Sequence, residues 1–386
     1  MKNISYIELN QKALEKNINY LRKRIGKKVK LASVIKGNAY GHGIKQFLPM
    51  AEKYGIDYFA VAEPWEVEEA LKVKKDSTDL MLMGMVMAKD IHFLINNKIS
   101  FYIYDPEILK ATINAATDTE AKAKIHLELE TGLNRTGLEY SELDEVIELI
   151  HRNKDKLEIE GICTHYAGAE SVSNYLRVHR QMSRFDNYVN ILQKEGIAAN
   201  YVHSASSAAT LLYKNTHQDM VRVGIAQYGF WPGKEVKMNN LLSKETAFSR
   251  DPLKQVISWK SYVMTTKTIE IGKFVGYGNS YQATKPTKVG IIPLGYAKGY
   301  KRNLSNKGHV LIKGRKCPVL GRVNMSNFTV DISHIKNVKK GDEVVLIGKQ
   351  KNNKISVASF TERTNYMNYE LLSSLSYEIP RYVVNR

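Results

Sequence analysis

The sequence has 386 residues, of which 43% are hydrophobic and 25% charged. This balance is typical of a globular protein and excludes a disordered or fibrous chain. The 57 Lys and Arg residues outnumber the 39 Asp and Glu residues, which gives a formal net charge of +18. Because the positive charges are spread along the chain, we interpret them as a solvated surface. We therefore expect neither a nucleic acid partner nor a membrane partner.

Two cysteines, Cys163 and Cys317, are too few for a disulfide framework in so long a chain. The start of the sequence lacks the apolar core of a secretory signal. No apolar run approaches the ~18–20 residues that are needed to cross a bilayer. These features predict a cytoplasmic protein.

The first two thirds of the sequence predict a barrel. A strand-like segment at residues 3–9 precedes a helix whose end we place at the basic run 22–28, because cations favour a helix C-terminus. Apolar strand-like runs then alternate with segments of helical patterning, such as 63–72 and 175–193. Eight such β-then-α units within about 240 residues predict a (β/α)8 barrel. The strand-like runs lie at 30–35, 57–62, 79–84, 99–104, 124–129, 158–164, 199–203 and 220–226.

The pattern changes after Trp231. From residue 256 to residue 347, apolar alternation, β-branched residues and Gly or Pro turns dominate. This texture predicts a separate, mainly β domain. We expect residues 1–240 to form the barrel and residues 241–386 to form the β-rich domain, and the strand at 3–9 is a candidate for pairing with that second domain.

Lys36 ends the first strand of the predicted barrel. In such barrels, reactive side chains lie at the carboxyl ends of the strands and in the loops that follow. Burial lowers the pKa of a lysine, which suits a lysine that forms a Schiff base. The alternative is a lysine whose side chain simply extends to solvent. The flanking glycines and Tyr40 favour the Schiff-base lysine, because glycines allow the backbone to approach a bound group closely.

A candidate phosphate site follows the last two barrel strands. Ser206 and Ser207 come after the seventh strand, and the run from Arg222 to Ile225 ends the eighth. Phosphate often binds at this place in such barrels. Serines at a helix start also act as N-caps, and that interpretation remains open. A lysine after the first strand together with a phosphate cradle predicts a site for pyridoxal phosphate, and no motif predicts a bound metal.

Residues 33–43 read SVIKGNAYGHG and resemble the cofactor-lysine signature of the alanine racemases, which are fold-type III pyridoxal-phosphate enzymes. The resemblance covers essentially the whole chain. It implies an isomerase that interconverts L- and D-alanine with pyridoxal 5'-phosphate and supplies D-alanine for cell-wall peptidoglycan. A broad-spectrum or serine racemase of the same fold is the alternative. A related decarboxylase and a basic cofactor-carrying or nucleic-acid-binding module are more distant ones.

The resemblance also implies the roles of individual residues. Lys36 would carry the cofactor and act as the base on the D face of the substrate, and Tyr277 would act on the L face. Tyr277 would come from the partner subunit of a head-to-tail homodimer with composite active sites. The other implied cofactor-binding residues are Tyr40, His165, Ser207, Arg222, Gly224, Ile225 and Tyr369, and the implied substrate-binding residues are Arg135 and Met325.

Several positions depart from the family pattern, among them positions 37 and 128. Gly37 stands where alanine is usual. Glu128 stands where the family often has a carbamylated lysine that orients the substrate-binding arginine. The alternation of residues 126–130 places Glu128 and Glu130 on one face of the fifth barrel strand, with Arg135 just beyond its end. We therefore expect Glu128 to supply the negative charge of the carbamate, with a shorter reach.

Overall fold

The computed structural model describes residues 3–242, 251–360 and 368–385. Its contacts divide the chain into two compact units. The barrel unit comprises Ala13–Gly37 and Leu48–Lys254. The β unit comprises Met1–Lys12, Asn38–Phe47 and Gln255–Arg386, and therefore takes in two segments from near the start of the sequence. One of these contains the first strand, β1 (Ser5–Asn10).

The barrel unit contains eight parallel strands. These are β2 (Lys30–Val34), β3 (Tyr58–Val61), β4 (Asp79–Leu82), β5 (Ser100–Ile103), β6 (Ala123–Glu128), β7 (Leu157–Cys163), β8 (Tyr201–His203) and β9 (Met220–Val223). They pair in the order β8-β7-β6-β5-β4-β3-β2-β9. Two backbone hydrogen bonds, from Asp219 N to Val202 O (3.1 Å) and from Arg222 N to Ala205 O (2.9 Å), join the two ends of this order. The barrel is therefore nearly closed.

Helices alternate with these strands, as the sequence predicts. The helix Leu143–Arg152 buries three residues at helical spacing, Leu143, Val146 and Ile150. These residues define the face of the helix that packs inward. The helix Pro106–Thr119 is preceded by its N-cap residue Asp105, whose Oδ1 accepts a hydrogen bond from Ile108 N (2.8 Å). The helices in chain order are α1 (Gln11–Ile25), α2 (Lys36–Tyr40), α3 (Ile44–Glu52), α4 (Pro64–Leu71), α5 (Ala88–Asn96), α6 (Pro106–Thr119), α7 (Leu143–Arg152), α8 (Tyr175–Lys194), α9 (Ser207–Leu212) and α10 (Lys234–Leu242). The prediction of a (β/α)8 barrel is confirmed.

The β unit is built on one ten-stranded sheet in the order β11-β12-β15-β14-β13-β16-β10-β1-β18, with β17 paired to β16. The elements that follow the barrel are β10 (Ile257–Tyr262), β11 (Thr265–Ile269), β12 (Thr287–Ile292), β13 (His309–Ile312), β14 (Arg315–Leu320), β15 (Phe328–Asp331), β16 (Glu343–Gln350), β17 (Asn353–Ile355), α11 (Asn368–Ser373) and β18 (Arg381–Val384). The prediction of a mainly β C-terminal domain is confirmed.

Strand β1 lies inside this sheet. Ile7 is opposite Trp259 in the antiparallel pair with β10 and opposite Arg381 in the parallel pair with β18. Ile7 and Trp259 are fully buried, so strand β1 is part of the core of the β unit. Within the part of the chain that the structure describes, no helix combines the length and the apolar character that a membrane span requires.

Candidate active site

Lys36 follows strand β2 at the carboxyl end of the barrel and begins a turn of unusual hand. The four residues Gly37 to Tyr40 all have positive φ, between 50° and 61°. Left-handed backbone costs a non-glycine residue about 1–2 kcal/mol, so three consecutive non-glycine residues need support from outside the turn. The sequence motif predicts close backbone approach here but gives no sign of the left-handed run.

The β unit supplies that support. His42 Nδ1 contacts the carbonyl oxygens of Ala39 (3.0 Å) and Tyr40 (2.9 Å). Burial lowers the pKa of His42 to about 3, so the ring is neutral and its Nδ1–H donates to both carbonyls. Arg381 donates from Nε (3.3 Å) and Nη2 (3.0 Å) to Gly41 O. These contacts fix Tyr40, whose ring centre lies 6.0 Å from that of Tyr369.

The Lys36 amine lies in an electrostatic environment built within the barrel unit. Solvent reaches part of its side chain, but protein atoms surround most of the amine. This burial lowers the pKa of Lys36, the charges of Arg135 and Arg222 act in the same direction, and Glu66 opposes them. A lowered pKa increases the fraction of neutral, nucleophilic amine near pH 7.

Arg222 is buried at the end of β9 and begins a chain of polar contacts through the barrel. Its Nη2 donates to Thr164 O (2.7 Å) and its Nη1 donates to His203 O (3.1 Å). Nη1 also makes a short contact with His203 Nδ1, and His203 Nε2 lies 2.9 Å from His126 Nδ1. Burial and the charge of Arg222 lower the pKa of His126 to about 3 and the pKa of His203 well below its usual value.

Both imidazoles are therefore neutral, and the network assigns their protons. A guanidinium only donates, so His203 accepts at Nδ1 and carries its proton on Nε2. That proton is donated to His126 Nδ1, and His126 Nε2–H then points to the hydroxyl oxygens of Tyr58 (3.1 Å) and Ser100 (3.2 Å). Sequence reasoning missed these residues, since lone histidines on buried strands are usually core residues.

The donors of the barrel unit fit pyridoxal phosphate. No hydrogen bond among the described residues uses Nε of Arg222, so this N–H remains available to a pyridine nitrogen. Ser207 Oγ accepts from Gly224 N (2.9 Å), which leaves the Ser207 hydroxyl proton for a phosphate oxygen. Together with the Lys36 amine for the aldehyde, these groups match the three polar parts of the cofactor.

His165 lies in the same charged environment as Lys36. Burial lowers the pKa of His165 to about 3, and the positive charges of Arg222, Arg135 and Lys36 contribute. Its ring nitrogens have no hydrogen-bond partner among the residues that the structure describes. A neutral imidazole of this kind can stack on or hydrogen-bond to a bound ring.

Arg135 lies on the loop after β6, and its side chain is 58% exposed. Its Nη2 is 3.9 Å from Oε1 of the buried Glu128, whose Oε2 accepts from Thr136 Oγ1 (2.8 Å). Burial raises the pKa of Glu128, and Thr136 and Arg135 act against this rise. The guanidinium is thus accessible to an anion and is associated with one buried carboxyl group.

Ile225 is buried in the barrel unit directly after Gly224, whereas Tyr277 and Met325 belong to the β unit. Tyr277 is 73% exposed in a short turn between Gly276 and Gly278, and Met325 is also exposed. Arg322 packs so closely on this turn that a Cβ atom on Gly278 would lie 2.6 Å from its Cζ. Sequence reasoning did not assign a role to Arg322, although it lies three residues before Met325.

Comparison with known proteins identifies the family. Residues 9–232 match the model of the alanine racemase N-terminal domain, and residues 256–383 match the model of the alanine racemase C-terminal domain. The sequence is 30% identical over 384 residues to a protein named alanine racemase 1 from Oceanobacillus iheyensis, with 98% of each chain covered.

Solved structures agree with the sequence matches. The crystal structure of alanine racemase from Bacillus anthracis with bound L-Ala-P has a TM-score of 0.90 and 26% identity, and covers 100% of this chain and 96% of that one. The alanine racemase from Bartonella henselae with covalently bound pyridoxal phosphate has a TM-score of 0.83 and 25% identity, and covers 99% and 100%. The chain therefore belongs to the alanine racemase family and is a pyridoxal-phosphate-dependent isomerase.

Proposed function

We propose that this enzyme interconverts L- and D-alanine with two bases, Lys36 and Tyr277, and so supplies D-alanine for cell-wall peptidoglycan. The observation that carries the proposal is the shared electrostatic environment of the Lys36 amine, Arg135 and Arg222 in the barrel unit. It provides a nucleophilic amine, an accessible cation for a carboxylate and a buried donor for a ring nitrogen.

Racemisation requires a proton to be removed on one face of Cα and another to be delivered on the opposite face. Pyridoxal phosphate, when bound, withdraws electrons and makes the Cα–H bond acidic. Lys36 holds or moves the proton on the D face, and Tyr277 does so on the L face. Arg222 would donate to the ring nitrogen of the bound cofactor and would keep its own proton, because a guanidinium does not titrate in this range.

The other residues bind and orient. Arg135 pairs with the substrate carboxylate in a charge-assisted hydrogen bond, and the Met325 backbone lies against the substrate. His165 would stack on or hydrogen-bond to the cofactor ring. Ser207 and the backbone amides of Gly224 and Ile225 would hold the phosphate, and the family resemblance adds Tyr369 for the phosphate and Tyr40 for the cofactor.

We further propose a head-to-tail homodimer in which Tyr277 completes the site of the other chain. The support is the exposure of Tyr277, since the β unit that carries it leaves its phenol uncovered. Phe274 and Met325 in the same unit are also exposed, and exposed apolar side chains of this kind are typical of protein interfaces.

Borohydride reduction followed by peptide mapping tests the role of Lys36. Reduction fixes the cofactor to the lysine that carries it, so the pyridoxyl group should be found on Lys36. Lys36→Ala should abolish both the label and racemisation, while Lys30→Ala, at the opposite end of β2, should keep both. A label on another lysine contradicts the assignment.

Mixing two inactive variants tests the composite site. Lys36→Ala and Tyr277→Phe should each be inactive in the racemisation of L-alanine. After subunit exchange, a mixed dimer has one intact site, so part of the activity should return. If verified exchange restores no activity, each site is built from a single chain.

The compartment that we propose is the cytoplasm. Both cysteines are free and buried, which is typical of proteins in a reducing compartment. Cell fractionation with an antibody against the chain tests this proposal, and recovery in a secreted fraction would contradict it.

A further inference from the structure

A second buried carboxylate, Glu130, lies two residues beyond Glu128 and is 6% exposed. Its Oε2 accepts hydrogen bonds from the backbone N–H groups of Asn134 (2.9 Å) and Arg135 (3.4 Å). Its Oε1 accepts a short hydrogen bond from Gly132 N. Three amides within four consecutive residues therefore point at one side chain.

The loop that these amides belong to is not a relaxed turn. Asn134 has φ of 57° and Gly132 has φ of 130°, so the amides are turned inward around a concave space. Backbone N–H groups arranged in this way bind anions. Here the anion is the chain's own carboxylate. On the outer side, Arg177 Nη2 donates to Gly132 O (2.8 Å).

The Arg135 side chain has few contacts of its own to define its position. Its guanidinium is 58% exposed, and its distance to Glu128 Oε1 is 3.9 Å, at the limit of an ion pair. An arginine side chain has several rotatable bonds, so the position of its end depends strongly on the backbone from which it starts. Correct placement of a binding group lowers the cost of bringing the substrate into position.

We propose that Glu130 is a positioning residue that holds the backbone of residues 132–135 so that Arg135 meets the substrate carboxylate. The inference rests on the proposed role of Arg135 in substrate binding. The two carboxylates at the carboxyl end of β6 then have different roles, with Glu128 as the last residue of the strand and Glu130 two residues beyond it. Glu128 acts on the side chains of Arg135 and Thr136, and Glu130 acts on the loop backbone.

The test compares Glu130→Gln and Glu130→Asp in the enzyme with its cofactor. The amide of glutamine presents an NH2 group to backbone N–H groups, and aspartate is too short to reach all three amides. The probe is propionate, which keeps the methyl and carboxylate groups of alanine but has no amine to react. We expect Glu130→Gln to weaken propionate inhibition and to raise the KM for alanine by about tenfold, with kcat changed by less than about twofold. Glu130→Asp should have a smaller effect in the same direction.

Glu52→Gln is the matched control. Glu52 is also buried in the barrel unit and accepts from a backbone amide, Lys75 N (2.9 Å), and from Thr78 Oγ1 (2.6 Å). That contact lies before strand β4, at the opposite end of the strands. Loss of this carboxylate should lower stability and leave propionate inhibition unchanged.

A double-mutant cycle separates positioning from general loosening. If Glu130 acts through Arg135, then Glu130→Gln added to Arg135→Ala should cause no further loss of propionate affinity. An equal loss in both backgrounds overturns the inference, as does a Glu130→Gln enzyme with unchanged inhibition. If Glu130→Gln does not fold, Glu130→Asp carries the same comparison. If Arg135→Ala alone leaves propionate inhibition unchanged, the proposed role of Arg135 fails instead.

Discussion

Glu128 places a negative charge inside the barrel where the family often has a lysine that must first react with carbon dioxide. Its Oε2 is held by Thr136 Oγ1, and its Oε1 faces the Arg135 guanidinium at 3.9 Å. A carboxylate that the sequence itself encodes needs no carbamate to form. If Glu128 orients Arg135 as we propose, substrate binding should therefore be independent of dissolved carbon dioxide.

Glu128→Gln removes this charge with little change in shape. The loss of a charge-assisted contact should cost about 1–3 kcal/mol of substrate binding, so the KM for alanine should rise. The measurement is kcat/KM for both enzymes, with and without bicarbonate at fixed pH. Bicarbonate should change neither, and a glutamine enzyme with unchanged kinetics would assign Glu128 to a structural role.

The pH dependence of the same contact has a defined direction. Burial raises the pKa of Glu128, so this group takes up its proton at a higher pH than an exposed glutamate. As pH falls, the part of substrate binding that needs the charge should be lost while exposed carboxylates are still ionised. The KM of the native enzyme should thus rise on acidification more than the KM of Glu128→Gln.

The residues near Arg135 could be predicted from sequence, whereas those behind Arg222 could not. Alternation in the sequence predicts that Glu128 and Glu130 face the same way, and both are buried, although β6 ends at Glu128 and Glu130 lies two residues beyond it. His126, His203 and Arg222 come from three different strands, and their contacts depend on how the barrel closes. The register between these strands cannot be predicted from any local sequence pattern.

Strands β6 and β7 approach each other closely where these imidazoles meet. Gly161 on β7 lies opposite His126, beside a register shift between Ile125 and His126. A Cβ atom at Gly161 would lie 2.0 Å from His126 Nδ1 and 2.9 Å from His203 Nε2. Only glycine leaves room for the hydrogen bond between the two rings.

Gly161→Ala should therefore destabilise the barrel by about 1–3 kcal/mol, the usual cost of overpacking a buried site. Urea unfolding measures the loss. Gly290→Ala on β12 is the control, because a Cβ atom there would lie 3.5 Å from its nearest neighbour, at ordinary contact distance. Equal effects of the two substitutions would show that the imidazole pair does not need the space.

At the scale of the element, the left-handed turn from Gly37 to Tyr40 could be predicted only in part from the sequence. The glycine-rich motif indicates a tight turn, and Gly37 meets the need for positive φ at its first position. The hand of the following residues is stabilised by His42 and by Arg381, which is far along the sequence. A local pattern cannot report such a distant support.

At the scale of the whole molecule, buried neutral histidines tie stability to pH. The pKa values of His126 and His165 are lowered to about 3 and that of His203 is lowered well below its usual value, all chiefly by burial. Between pH ~6.5 and 3 the unfolded chain binds these protons and the folded barrel does not. Stability is therefore intact above this window and falls by up to about 1.4 kcal/mol per pH unit for each histidine as pH decreases.

The unfolding free energy from urea titrations between about pH 5 and about pH 6.5 tests this slope, because this range lies within the window of about 3 to 6.5. His126→Gln should reduce the slope of the unfolding free energy against pH by the contribution of one proton, which is up to about 1.4 kcal/mol per pH unit. Tyr58→Phe, which removes a neighbour of His126 but no titrating histidine, should leave the slope unchanged. A slope that is the same in the native protein and in His126→Gln would contradict the assignment of a neutral His126.

The repeating β-then-α pattern allowed the barrel to be predicted because each unit is local in sequence. The β unit is different, since its segments come from 1–12, 38–47 and the end of the chain. Composition identifies the β-rich stretch and suggests a partner for the strand at 3–9. Nothing in the composition of the sequence assigns residues 38–47 to the β unit.

Strand β1 has a consequence for folding during synthesis. Ser5 Oγ donates to the carbonyl oxygen of Lys260 (3.2 Å), which leaves the ribosome 255 residues later, and the other neighbour of β1 is β18. Strand β1 therefore stays without its neighbours while the whole barrel emerges. Since unpaired strand edges promote aggregation, this interval is the time at which a chaperone that binds extended apolar segments would matter most.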